Sequence, residues 1–479
     1  MKNLIILTLF SFILIGCADL VDDLNQNPNN PTTAPYQYAL TTTEVANIIL
    51  HTGEPTRKAG IFAGQYTGIE RQQLGYSNYD LVSSDFNSHW NTVYSSIVRN
   101  ALVTKELAAE QGIEGITAGI TQVLRALALG TATSLWGDVP FDEGGQLEFE
   151  NPAYEEQATV YAKAQDLLDE AIINLETNTG RPLALTDIYF DGDPEPWIQV
   201  VYTIKARFYM HTKNYAAAFT AAQSGIGSDG ASQGTYNLSS VHGLALDNAN
   251  LNYQFFEIAA RKSDLITSDF FASIIDSDAA RSPNPANYRG NAKTNEAARY
   301  DYLLQTTDIG IQPNTGINGF AQIDGPGAMV TYAENLLILA EAGARADFTT
   351  GLTYLNEFRA YMSTGGYLSS PNMSDLQYDA YDVADFDNGG IENQDGSVTP
   401  TQALLREILQ ERYVTLFGQI EVFNDLRRTQ NEGNIRVNVV PNTGSELPQR
   451  FLYAQSELDA NSSTPNPIPG FFQLTSVNQ

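Results

Sequence analysis

PTQALLREILQERYVTLFGQIEVFNDLRRT, residues 400–429, is the stretch on which the reading of the fold turns. It is strongly periodic: Leu404, Leu405, Ile408 and Leu409 recur at helical spacing, and Tyr413, Leu416, Phe417 and Ile420 carry the pattern on. Pro400 stands where a helix can begin. Charges run through the same segment. Glu407 and Glu411 are four apart on one helix face, beside Arg406 and Arg412. Arg427 and Arg428 are adjacent, next to Asp425 and Glu421. In a segment this apolar, such charges are expected to form buried or half-buried ion pairs that tie helix to core.

Working outward, the pattern stays mostly helical. Periodicity predicts helices over 41–50, 86–110, 115–135, 157–176, 196–215, 333–346 and 350–362. The long segment 86–110 gathers Trp90, Tyr94, Ile97, Val98, Ala101 and Leu102 on one face. The segment 115–135 is rich in Ala and Gly, which allows close helix contact. "FDGDPEP" is a turn signal that places Pro196 near the first turn of the next helix. Between the helices lie long Gly-, Ser-, Asn- and Pro-rich stretches, 224–252, 282–327 and 363–398, and a short strand is predicted at 434–440. Successive helices joined this way predict a mainly α fold, a TPR-like scaffold of helical pairs carrying long irregular loops. Loops of that length in a compact body are often functional.

The amino terminus, MKNLIILTLFSFILIGCADL, holds the only cysteine. Lys2 precedes an apolar run of about twelve residues, a length that suits a signal-peptide core and is too short to span a bilayer. Leu14-Ile15-Gly16 then precede Cys17, like the lipobox of a bacterial lipoprotein. This predicts a signal peptide over 1–16, acylation of Cys17, and a flexible acidic, Asn-rich tether over 17–35. With its one thiol given to lipid, the body at 36–479 has no disulfide and is expected to rely on its core as a single domain. The alternative is an ordinary secretory signal with a cysteine at its end by chance.

Charge narrows the partners. Lys and Arg total 26 against 56 Asp and Glu, a formal charge of -30, with no basic stripe, which argues against nucleic acid. A polyanionic polysaccharide is disfavoured by the same field, so a neutral ligand fits better. The acidity also suits a salty external medium.

Six segments together resemble one known family. They are AGITQVLRALALGTATSLWGDVPF (118–141), YEEQATVYAKAQDLLDEAIINL (154–175), DIYFDGDPEPWIQVVYTIKARFYM (187–210), YAENLLILAEAGAR (332–345), LREILQERYVTLFGQIEVFNDLRRT (405–429) and LPQRFLYAQSELDANSSTPN (447–466). In this order, behind a lipobox, they resemble the SusD/RagB family of nutrient-binding outer-membrane lipoproteins of Bacteroidetes. The resemblance implies a non-enzymatic, lipid-anchored protein on the cell surface. Its implied partner is a SusC-like TonB-dependent transporter, to which it delivers a captured oligosaccharide. The charge adds a preference for a neutral glycan, with a β-glucan such as laminarin as the example. Peptide capture, or a purely structural lid on the transporter, are the alternatives.

The resemblance also points to two ligand-binding stretches. The first, Gly68 to Asn87, offers Arg71, Gln72, Gln73, Tyr76, Asn78 and Tyr79; the second, Arg281 to Tyr302, offers Tyr288, Arg289, Asn291, Tyr300 and Tyr302. Tyr supplies a ring and a hydroxyl together, and Asn and Gln can bridge vicinal sugar hydroxyls. Neither stretch holds a tryptophan, whereas the best-known starch-binding members carry tryptophans in their aromatic arc, so starch itself is disfavoured. Trp90, Trp136 and Trp197 are expected in the core. Hydrolysis would need a carboxylate pair across a cleft. Asp169, Glu170, Glu407 and Glu411 are helical and are expected to pair with cations or face solvent. Asp379, Asp382, Asp385 and Asp387 cluster hard oxygen ligands of the kind calcium prefers, without matching an EF-hand loop.

The lipobox reading has a direct check. Cys17→Ser should abolish incorporation of radiolabelled fatty acid and leave the protein unanchored; continued labelling would refute acylation at this position.

Overall fold

The computed structural model describes residues 35–257, 260–368 and 373–479. The predicted signal peptide, Cys17 and all of the predicted tether but Pro35 lie outside the described residues. Helix α1 (Tyr36–Thr52) leads through Gly53 into α2 (Glu54–Phe62), β1 (Tyr66–Gly68) and α3 (Arg71–Ser77). The helix predicted at 86–110 forms as α4 (Asn87–Asn91), a π-helical stretch over Thr92–Val98, and α5 (Arg99–Glu110). Then come α6 (Ile116–Trp136), α7 (Gln157–Glu176), α8 (Pro194–His211) and α9 (Tyr215–Ala222). The segment predicted as one helix to Tyr215 therefore stops at His211. Asn214 caps α9 by accepting from the Ala217 N–H at 3.3 Å.

The central stretches are short pieces: β2 (Leu238–Ser239), α10 (Leu251–Glu257), β3 (Leu265–Thr267), α11 (Asp269–Ile275), β4 (Thr294–Asn295), α12 (Ala297–Leu303), β5 (Leu304–Thr307), β6 (Gly310–Pro313) and β7 (Ala328–Val330). The second half carries α13 (Tyr332–Ala346), α14 (Phe348–Ser363), β8 (Gln377–Tyr378), α15 (Pro400–Thr415), α16 (Glu421–Thr429) and α17 (Gln455–Ala460). The strands form four two-stranded antiparallel ladders, β1–β3, β2–β7, β4–β8 and β5–β6, which pin the long loops to one another. Among the described residues no strand forms at 434–440; the alternating valines there have no neighbouring strand to pair with, and the segment borders a cavity instead.

Helices pack in successive pairs, α6 on α7, α8 on α9 and α13 on α14, with α9 and α15 also on α13. The scaffold is thus mainly α-helical with repeated helix-pair packing. Every residue of α6 except Arg125 is buried, as its nearly uninterrupted Ala, Leu, Gly and Thr content requires. Two of its glycines let neighbours close in. A Cβ on Gly119 would stand 2.8 Å from Leu175 of α7, and one on Gly130 would stand 2.0 Å from the ring of Phe208 in α8. Local chemistry starts the other helices: Asp193 caps α8 with Pro194 following, Asp347 caps α14, and Thr399 with Gln402 form a capping box at α15. No helix among the described residues is long and apolar enough to cross a membrane.

The periodic stretch 400–429 breaks once, between α15 and α16. Gly418 takes a positive φ of 73°, and its N–H donates to Gln65 Oε1 at 3.0 Å. The break is invisible in the pattern because its residues are core residues too: Phe417 stacks on Phe271 at 4.4 Å. The expected buried ion pairs of Arg412 and Arg428 are present. Arg428 donates to both oxygens of Glu341, at 2.6 and 2.5 Å, and Arg412 reaches Asp425 at 2.7 Å. Trp90, Trp136 and Trp197 are all buried.

The close approach at Gly130 makes a test of packing against propensity. Gly130→Ala improves intrinsic helix propensity by about 1 kcal/mol, yet overpacking a filled core costs about 1–3 kcal/mol. The variant should therefore unfold at lower urea concentration than the parent; a stabilised variant would show that Phe208 yields freely.

Candidate ligand-binding site

The first predicted stretch folds around β1 and α3. Gly68 has no room for a side chain, because a Cβ there would lie 1.8 Å from the Gln73 carbonyl oxygen. Arg71 is half exposed and pairs with Asp264 at 3.1 Å and with Glu70 at 3.6 Å. Gln72 and Asn78 face solvent. Gln73 and Tyr76 are turned inward; the Tyr76 hydroxyl donates to Glu54 at 3.4 Å, and Lys58 lies 4.6 Å over its ring. Tyr79 follows with a positive φ of 60° and packs on Phe62, Phe471 and Phe472. Its hydroxyl accepts from the Asn442 N–H at 3.1 Å.

The second stretch is mostly internal. Arg289 is 3% exposed and bonds Glu296, Glu407 at 2.6 Å and Glu411 at 2.9 Å. Burial alone would raise the pKa of Glu411; Arg289 and Arg299 outweigh it and pull the value down to about 2. Asn291 donates to the Tyr381 hydroxyl at 2.9 Å and to Glu392 at 2.8 Å. Tyr300 is buried beneath the Arg281 guanidinium, 4.0 Å from its ring. Tyr302 packs between Phe320 and Tyr367. Tyr288 is half-buried and accepts from the Glu296 N–H at 3.1 Å. Gln73, Tyr76, Tyr300 and the Arg289 side chain are thus turned inward and Asn291 and Tyr302 half-buried, while Gln73 Oε1, Arg289 Nε and the Tyr300 hydroxyl have no hydrogen-bond partner. Among the described residues, no hydrogen bond, ion pair or ring contact joins the chosen residues of one stretch to those of the other.

The acidic cluster singled out for calcium is partly engaged by neighbouring side chains. The Lys293 ammonium lies 3.1 Å from Asp382 and 2.7 Å from Asp385, while Asp379 accepts from Gln377 at 2.6 Å. Among the described residues no group of three or more His, Cys, Asp or Glu side chains is placed to hold a metal ion. The helical carboxylates weighed for hydrolysis are also engaged. Asp169 bonds Lys205 at 2.5 Å, Glu170 accepts from Gln122 at 3.0 Å, and Glu407 and Glu411 hold Arg289.

The first stretch leads instead to a cavity. Asn442 staples the C-terminal loop to the β1 region, donating to the Ile61 and Tyr66 carbonyls at 2.9 and 3.1 Å and accepting from Thr67 at 2.9 Å. Beside this staple opens a cavity of about 600 Å³ between α16, residues 436–449 and the C-terminal segment. Phe62 and Phe423 form its inner wall, and Phe472, 45% exposed and backed by Tyr79, stands at its edge. Two polar atoms bordering it, Gln430 Nε2 and Gln449 Oε1, are buried without a hydrogen-bond partner, one a donor and one an acceptor.

Arg427 also borders this cavity, and it corrects the ion-pair expectation for that residue. Among the described residues no carboxylate lies within ion-pair distance of it. It donates to the carbonyls of Phe423, Gln449 and Ser134 at 3.2, 2.9 and 2.8 Å, and to Asn424 Oδ1. Burial lowers its pKa to about 9, so it stays charged at neutral pH. The residues at 430–449 carried no distinctive pattern in the sequence. The apolar run Val437, Val439 and Val440 was the available signal, and it reads equally well as a strand.

Comparison with known proteins fits this architecture. The chain belongs to the SusD-like family, whose sequence profile, described as starch-binding and associating with the outer membrane, matches residues 28–454. It is similar to the solved structure of a SusD/RagB family protein from Bacteroides thetaiotaomicron, with 18% identity, a TM-score of 0.66 and coverage of 90% of this chain and 95% of that one. A SusD homologue from Bacteroides fragilis is 17% identical, with a TM-score of 0.62 and coverage of 93% and 100%. A chitin-binding SusD homologue from Flavobacterium johnsoniae is 16% identical, with a TM-score of 0.62 and coverage of 93% and 98%. No curated protein matches the chain.

The division between internal and outward residues can be measured. Arg289→Ala takes the close partner from Glu407 and leaves Glu296 and Glu411 with Arg299 alone, and should lower unfolding free energy by about 3–5 kcal/mol. Gln72→Ala, on the surface, should stay within about 0.5 kcal/mol of the parent. Urea denaturation of both variants reads the difference; equal effects would overturn the assignment.

Proposed function

We propose that this chain is a cell-surface lipoprotein that captures a glycan without cleaving it and passes it to a SusC-like TonB-dependent transporter. The observation that carries the reading is membership of the SusD-like family across residues 28–454. The anchor at Cys17 follows from the lipobox, and the transporter from the family.

A neutral glycan is the class we favour. The chain carries a formal charge of -30, which repels polyanions. The cavity beside Phe472 combines apolar and aromatic walls with Arg427, Arg436 and Glu446 and with one unmatched amide donor and one unmatched amide acceptor. A pyranose has complementary chemistry: apolar C–H faces that stack on a ring, and hydroxyls that both donate and accept. Phe472, lining the cavity with Phe62 and Phe423, supplies the ring surface, and Gln430 and Gln449 the polar contacts. Arg71, Gln72 and Asn78 are exposed and Tyr288 half-buried, which leaves them as candidates for further contacts. A β-linked neutral glycan is the preferred ligand, with laminarin as the first candidate. Chitin, also uncharged, is named for one of the similar structures.

Calorimetric titration of the full chain in detergent, with laminarin, chitin and uronate oligosaccharides and a peptide library, tests this. Saturable heat with a neutral glycan and no product formation is expected. Phe472→Ala should weaken that binding about tenfold, or ~1.4 kcal/mol. Heat with peptides alone, or turnover of the glycan, would sink the reading.

A further inference from the structure

A second cavity, of about 330 Å³, shares no lining residue with the one beside Phe472. It is built where the turn after Asp187 meets the β2–β7 ladder. Tyr189 and Phe190 form one wall; Asn237, Ser239, His242 and Asp324 are among its polar lining.

The aromatic wall is braced from behind. Asp187, itself buried, accepts from the backbone N–H groups of Tyr189 and Gly192 at 2.9 and 2.8 Å and from Trp197 Nε1 at 2.8 Å. The Trp197 ring meets Tyr189 edge-on at 5.9 Å and Phe190 at 5.3 Å. The Tyr189 hydroxyl donates to the Glu44 carbonyl of α1 at 3.1 Å. The opposite wall hangs on the ladder, where the Ser240 N–H donates to the Gly327 carbonyl at 2.8 Å and the Gly327 N–H returns to Ser240 Oγ at 2.7 Å. Asn237 is oriented by accepting from the Tyr332 N–H at 2.7 Å. Walls held this way are ready for a ligand without rearrangement.

Within this lining His242 is half-buried with its ring against the Asn248 backbone, and its Nε2 has no hydrogen-bond partner. No lysine or arginine lines the cavity, and Asp324 stands at its rim, so an anion would meet only negative charge. Hydroxyl and amide groups beside an aromatic wall, with an unmatched imidazole nitrogen, suit an uncharged polyhydroxylated ligand.

We infer that this cavity is a second glycan-contact site, taking one or two neutral sugar units of the chain held at the Phe472 cavity or of another copy of the same glycan. The inference rests on the glycan-capture reading above. Two separate contacts on one polymer raise its residence on the protein without making either contact tight, because the second binding event is intramolecular.

The test is titration of the full chain in detergent with laminarihexaose and chitohexaose, comparing the parent with His242→Ala, Asp324→Ala and Phe472→Ala. Melting temperature serves as the check on folding. Two equivalents of hexasaccharide in the parent are expected, falling to one in His242→Ala and in Asp324→Ala at unchanged melting temperature. Loss of all binding in His242→Ala with none lost in Phe472→Ala would overturn the two-site arrangement and move the single site to this cavity. A single equivalent removed by Phe472→Ala and untouched by the other two variants would overturn the second site and leave glycan capture standing. No binding of either sugar by the parent would overturn both.

Discussion

One buried carboxylate, Glu341 of α13, stands among three guanidinium groups, and the second half of the helical layer depends on it. Arg428 of α16 reaches both its oxygens, Arg345 lies 2.9 Å away, and Arg412 of α15 lies 3.5 Å away. Asp425 completes the cluster by holding Arg412 and Arg428. Charges cost a great deal to bury, and this cost is offset only when each is matched at close range. The three helices must therefore meet in one register. Isolated helices of 9 to 16 residues, the lengths of α13, α15 and α16, are marginal in water, so packing and this cluster hold them.

The same device recurs on the loop side. Arg289 and Arg299 share Glu296 and Glu411, joining the irregular stretch around α12 to α15. Arg359 adds hydrogen bonds to the Lys293 and Asp379 carbonyls, at 2.8 and 2.7 Å, which fixes β4 and β8 to α14. Long loops thereby become rigid parts of the body. What faces outward from them is held in fixed position on the helical scaffold.

Much of the fold was legible in the residues. Helix 157–176 was read to its ends, and the helices at 116–136, 332–346 and 348–363 to within two residues, because apolar spacing and caps act locally. The break at Gly418 was not legible, since Leu416, Phe417 and Ile420 are as buried as helix residues would be. The candidate site was legible only in part. Tyr79 does stand behind the exposed Phe472, but Arg289 and Asn291, chosen for their polarity, are consumed inside. Polarity tells what a side chain can bond, not which partner reaches it first.

By itself the sequence determined the helices, their buried faces and the family, because each rests on patterns repeated within a few residues. The tertiary structure alone decided which polar groups meet a partner and which meet a cavity. Arg427 and Arg428 are neighbours of one kind in one helix. Arg428 closes on Glu341, 87 positions away, whereas Arg427 finds only neutral oxygens, one of them the Ser134 carbonyl 293 positions away. The difference lies in what the chain folds against each side chain, and burial makes that choice of partner decisive.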